Sequence, residues 1–156
     1  MKYECGNDVQ INYVEAVRCY RLAAGFGLAE AQVNLGSMFM KGRGLEKDRA
    51  AGMDWFLQAA NQGLAQAQFS VGVIHEKGTC AAQDFYEAGR WYRLAAEQGC
   101  ADAQYNLGNL YFTGQGVSMD YDEALHWFEL AALQGNSQAA TGAKYLTEIN
   151  HFDTCL

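Results

Sequence analysis

The side chains of this 156-residue chain that exchange protons, bind metals or attack carbonyls are few and scattered. His75 and Glu76 in "HEKG" supply the first half of a helical zinc-hydrolase pattern, which needs a second histidine four residues on to complete the ligand pair. That histidine is missing. The five cysteines, Cys5, Cys19, Cys80, Cys100 and Cys155, are odd in number and form no CxxC pair, so they make neither a disulfide nor a zinc framework. Cys80 and Cys100 flank one helix-length segment and should lie roughly 20 Å apart at the rise of a helix, beyond the ~7 Å between Cα atoms that a bridge tolerates. Cys100, at a helix start, is the one candidate for a reactive thiol, set against a plain turn role. Asp120, Asp122 and Glu123 read as a charged first helical turn. "GQG" at residues 114–116 has no following lysine and no longer glycine fingerprint to make it a phosphate loop. These residues imply no catalytic set, no metal and no cofactor.

The elements that would position any site come from a strong internal repeat. Ala23, Ala59, Ala95 and Ala131 recur every 36 residues, as do Gly27, Gly63, Gly99 and Gly135, and Ala31, Ala67, Ala103 and Ala139. Each unit holds two helix-length segments separated by glycine-bearing turns, and the chain has no proline to interrupt them. We name the two types the LG helix, as in "AEAQVNLGSMFMKGRG", and the WF helix, as in "DRAAGMDWFLQAANQG". The pattern predicts an all-α superhelix, a solenoid of eight helices in about four hairpins. The expected units are 1–27, 28–63, 64–99 and 100–135, with a terminal helix and tail over 136–156, all in one domain.

Gly36, Gly72 and Gly108 fall in mid-helix, where glycine costs about 1 kcal/mol against alanine. Close approach of a neighbouring helix offsets that cost, and the small residues Ala16, Gly52, Ala88 and Ala124 of the WF helices are the natural counterparts. Asp48, Asp84 and Asp120 are placed to cap the WF helices. Ala31, Leu35 and Phe39, with Ala67, Val71 and His75, and Ala103, Leu107 and Tyr111, share a core-facing stripe. His75 thus reads as a core histidine. His126, in register with Arg18, Asp54 and Arg90, reads as solvated, His151 lies in the tail, and Cys19, where other units carry tryptophan, reads as a buried thiol.

The stretch "AQYNLGNLYFTGQGVSMDYDEALHWFELAALQG" resembles the Sel1-like repeat, a relative of the tetratricopeptide repeats, and the same spacing covers nearly the whole chain. The resemblance implies a right-handed α-solenoid that acts as a noncatalytic scaffold or adaptor by binding protein or peptide. A cysteine-rich, secreted subfamily bridges each unit with a cysteine pair. This chain has none, so the β-lactamase-like hydrolase activity proposed for that subfamily, or a thiol enzyme, is a disfavoured alternative. A purely structural self-assembly module is another.

By the same resemblance, one face of the LG helices lines the concave groove. It carries Val33 and Met40, then Phe69 and Val73, then Tyr105, Asn109 and Phe112, and finally Tyr145, while Asn34 and Asn106 stand where related folds reach a peptide backbone. Phe112 and Tyr145 are the residues expected to be most open. The plainer alternative has Val33, Phe69 and Tyr105 packing between repeats and the asparagines as ordinary members of "AQxNLG". No lysine flanks the asparagines, so internal segments are expected rather than C-termini.

Lys plus Arg total 11 against 18 Asp plus Glu, a net charge of -7, which disfavours nucleic acid and anionic membrane and favours a basic or amphipathic partner. "MKYECGNDVQ" lacks a secretion signal's basic end and apolar run, so a cytoplasmic location is expected. Tyr3 and Gly6 align with Phe39 and Gly42, so the chain starts out of phase, and either upstream repeats or a homo-oligomer through the N-terminal edge is expected to cover it. At the other end, Lys144 takes the place of the packing glycine, as in a cap.

Overall fold

The structure, a computed structural model, describes residues 12–80 and 82–153, with side chains described to residue 149. Among the described residues there are eight α-helices and no strand: α1 Tyr13–Gly25, α2 Ala29–Lys41, α3 Arg49–Asn61, α4 Ala65–Lys77, α5 Phe85–Glu97, α6 Ala101–Thr113, α7 Tyr121–Leu133 and α8 Ser137–Asp153. Each helix packs chiefly on the one before and the one after it. The core is therefore a chain of overlapping clusters along the stack. This is the solenoid that the 36-residue period predicts.

Side-chain caps start the helices where the sequence places them. The carboxylates of Asp48, Asp84 and Asp120 accept from the backbone N–H groups of Ala51, Glu87 and Glu123. Asn12 and Asn136 do the same for Glu15 and Ala139. Each satisfies a donor that a helix N-terminus otherwise leaves free. At the other end of α6, Gly114 takes a left-handed conformation (φ 69°), which costs glycine little. Gly116 lies so close to the first residue of α5 that a Cβ would overlap the Phe85 carbonyl. Gly44 lies as closely against Tyr13, the first residue of α1, so the loops after α2 and α6 each sit on the start of the WF helix before them.

The mid-helix glycines do permit close approach. A Cβ on Gly36 would stand 2.9 Å from the Gly52 carbonyl oxygen, as the small-residue pairing requires. At Gly72 and Gly108 the nearest obstacle is an aromatic ring, Tyr92 at 2.6 Å and Phe128 at 2.7 Å. The stack continues past Lys144 by another route: Gly142, two residues earlier, lies against the other edge of Phe128, 2.9 Å from where its Cβ would be. One ring is therefore held between α6 and α8.

Two expectations change. Cys19 is exposed, not buried. The tryptophans at its position lie against the preceding LG helix, as Trp55 does beside Gly36, and the segment preceding α1 falls outside the described residues. His75 is half-buried, as Phe39 and Tyr111 are at the same position of their units, so the core-facing stripe is enclosed only at Leu35, Val71 and Leu107 and at the alanines. Tyr3 and Gly6, on which the N-terminal edge rests, also lie outside the described residues, as does the side chain of His151.

Candidate partner-binding site

The ten residues expected on the groove face divide into two groups. Val33 and Met40 are half-buried against the cluster of Phe56, Ala59 and Val71, and Met40 covers Gly52 so closely that a Cβ there would meet its Cγ at 2.8 Å. Phe69 and Val73 pack in the same way on the next cluster, with the Phe69 ring 5.8 Å from that of Tyr92. Asn106 is half-buried near the Tyr92 hydroxyl, and Asn34 is exposed. These positions serve the junctions between repeats, apart from Asn34.

Tyr105, Asn109, Phe112 and Tyr145 instead come together. With Phe128, Gln138, Thr141 and Gly142 they line a notch of about 290 Å³ between α6, α7 and α8. Phe112 meets Tyr145 edge to face, with ring centroids 6.1 Å apart, and Tyr105 leans on Phe128 at 5.9 Å. Tyr145 is 53% exposed, the most open of these rings.

The register explains why the notch opens here. Thr141 and Gly142 occupy the positions that Tyr105 and Asn106 hold one unit earlier. In the earlier unit an asparagine lies beside Tyr92 with a tyrosine next to it; in α8 a smaller threonine and a glycine stand at these positions, and the notch opens next to the buried Phe128. Tyr145 then stands where α6 has Asn109, so the notch gains an aromatic wall. None of its lining side chains is charged. Asn109, Gln138 and Thr141 supply neutral donors and acceptors, and Glu148 follows one turn after Tyr145.

Elsewhere, titratable groups are taken up by structure. Tyr92 donates to Glu76 at 2.5 Å. Burial raises the Tyr92 pKa well above the ordinary tyrosine value, the Glu76 hydrogen bond and charge add to the rise, and the Asn106 bond opposes it. Cys80 donates to the Arg49 carbonyl at 3.3 Å, and burial pushes its thiol up against the pull of the Arg49 charge. Cys100 precedes the first turn of α6 with its side chain half-buried. His126 is exposed, with its ring edge-on to Trp127. Among the described residues no three His, Cys, Asp or Glu side chains converge on a metal position, and no helix is long and apolar enough to cross a membrane.

A polar device escaped the sequence reading. Gln32, Gln68 and Gln104 are buried, and each amide donates to a carbonyl at the end of the preceding WF helix, Ala24, Ala60 and Ala96. Each also accepts from a glutamine at the end of the following WF helix: Gln62 at 2.7 Å, Gln98 at 2.7 Å and Gln134 at 2.8 Å. Both sets recur with the 36-residue period, which was the available signal.

The pattern of the Sel1 repeat matches residues 3–25, 29–64, 65–100 and 101–136. Among solved structures, the chain is similar to a Sel1 repeat protein from Oxalobacter formigenes, with 34% identity, a TM-score of 0.78, and 82% of this chain and 96% of that one covered. It is also similar to a protective antigen of uropathogenic Escherichia coli strains that displays an SLR fold, with 35% identity and a TM-score of 0.79 over 85% of this chain. It spans only 28% of that antigen's length. Helicobacter pylori cysteine rich protein B shares the fold at 20% identity, with a TM-score of 0.66 over 87% of this chain and 98% of that one. The curated proteins contain no match. With four successive repeats matched and their helical hairpins stacked as the period requires, the chain belongs to the Sel1 repeat family.

Proposed function

We propose that this chain is a noncatalytic scaffold that binds a protein or peptide segment on the LG-helix face, with the aromatic notch of α6, α7 and α8 as its anchor point. The observation that carries this reading is the notch itself, where Tyr105, Phe112 and Tyr145 offer apolar surface beside the amides of Asn109 and Gln138. Rigid aromatic anchors beside adaptable polar groups are what a recognition pocket needs. The net charge of -7 favours a basic or amphipathic segment, chiefly through its approach rate. A dissociation constant near 1 μM, about -8 kcal/mol, suits a groove of this kind, and the setting we infer is cytoplasmic. The test is affinity capture followed by measured binding of the captured partner to the parent and to the Phe112→Ala/Tyr145→Ala double variant. A loss of about tenfold or more is expected; unchanged affinity would move the site elsewhere.

A second reading, self-assembly through the N-terminal edge, draws on the exposure of Val14 (66%), Leu22 (62%) and Phe26 (86%) on and after α1. Light scattering over a range of concentrations tests it, and a constant monomer mass removes it.

A further inference from the structure

The notch is aromatic where the junctions before it are not. Its four rings, Tyr105, Phe112, Phe128 and Tyr145, stand in register with Phe69, Glu76, Tyr92 and Asn109 between α4 and α6, and with Val33, Met40, Phe56 and Val73 between α2 and α4. Corresponding positions thus hold one ring, then two, then four. Aliphatic side chains pack the first junction, so apolar burial alone does not require the rings of the last. In the second junction the carboxylate of Glu76 accepts from the Tyr92 hydroxyl; in the third, Phe112 replaces it and no charged side chain lines the notch.

What a ring adds to aliphatic surface is a negative face, which attracts a cation within about 6 Å of the ring centroid. Tyr105 and Phe128 are inclined at 36°, and Phe112 and Tyr145 at 76°, so the ring planes around the notch are not parallel. The Thr141 hydroxyl gives its proton to the Ser137 carbonyl, which leaves its lone pairs to accept, and Asn109 and Gln138 contribute amides that accept as readily as they donate. The surrounding surface has the matching sign. Residues 101–149, which build α6, α7 and most of α8, carry six carboxylates against one lysine, Lys144, itself 3.9 Å from Glu148. Residues 12–80 carry seven Lys or Arg against six Asp or Glu. The negative charge of the chain is therefore gathered around the notch.

We propose, on the reading that the notch is the anchor point, that the group it takes is a lysine side chain of the bound segment: the methylene stem lies along the rings, and the ammonium meets their faces and the Thr141 oxygen. Charge complementarity and the ring content together select a cation over the aliphatic anchor that walls of valine and methionine would hold.

The test uses the full chain, titrated calorimetrically with a peptide of repeated Gly-Lys-Ser triplets and with a counterpart in which norleucine, similar in shape and uncharged, replaces lysine. The parent should bind the lysine peptide about tenfold more tightly than the norleucine peptide. An acidic surface by itself also favours lysine, so the deciding variant is Tyr145→Leu, which removes a ring at an exposed position and leaves the charge unchanged. It should weaken the lysine peptide about fivefold and leave the norleucine peptide unaffected. Absence of lysine-peptide binding by the parent, equal affinity for the two peptides, or equal binding of the lysine peptide by the parent and Tyr145→Leu overturns the proposal. Equal affinity for the two peptides, with both lost in Phe112→Ala/Tyr145→Ala, keeps the notch as an anchor for apolar groups alone; a lysine peptide bound equally by the parent and that double variant removes the notch as well.

Discussion

Glycines inside helices carry opposite instructions in this chain, and single substitutions separate them. At Gly72 a Cβ would lie 2.6 Å from the ring of Tyr92, which is fully buried and has no free end to move. Gly72→Ala should destabilise the protein by about 1–3 kcal/mol despite alanine's higher helix propensity. At Gly89 the obstacle is one terminal methyl of Leu110 at 3.3 Å, so Gly89→Ala should stabilise by up to ~1 kcal/mol. Chemical denaturation of both variants checks the pair, and the same sign for both would contradict this account. Tyr92 also makes a pH prediction. Its folded pKa is raised by burial and by Glu76, so its contribution is fully present below the ordinary tyrosine pKa of about 10 and is lost as pH rises above it. Stability should fall above pH ~10 in the parent and fall less in Tyr92→Phe. That variant should also lose about 1 kcal/mol at neutral pH with the hydroxyl's hydrogen bond. Equal alkaline loss in both proteins would show that other groups dominate.

At the scale of elements, helices and turns were legible because each rests on local chemistry that recurs: aspartate caps, left-handed glycines and small residues at the crossings. The glutamine ladder was not, because a glutamine in a helix reads as solvated surface until the carbonyls around it are located. Gln104 ties the end of α5 to the end of α7 through Ala96 and Gln134. Gln104→Ala should therefore cost about 1–3 kcal/mol, since it leaves buried groups unpaired, whereas Gln134→Ala, at an exposed helix end, should cost less than ~1 kcal/mol. A double-mutant cycle should give a coupling of about 0.5 kcal/mol or more. Additive losses would mean that the ladder does not join the repeats energetically. Cys19 misled for a related reason: its burial depends on a neighbour beyond its own helix, which its register alone does not supply.

Over the whole molecule, a repeat array gives every unit the same junctions, so a binding site arises where one unit departs from the others. The face was legible in the sequence, since the residues at helical spacing on α6 and α8 are those that line the notch. Which of them stand open was not, because that depends on what the next helix places over them. Asn106 fills its position beside Tyr92, whereas at the equivalent place Gly142 brings no side chain and Thr141 replaces a tyrosine, so the notch opens next to the buried Phe128. Nearest-neighbour stacking also predicts that binding at the notch leaves distant repeats unaffected. Amide hydrogen exchange of the chain with and without its captured partner tests the central claim most directly. New protection over residues 105–112 and 138–148, with α1–α3 unchanged, is the predicted result; protection elsewhere with those two segments unaltered would contradict it.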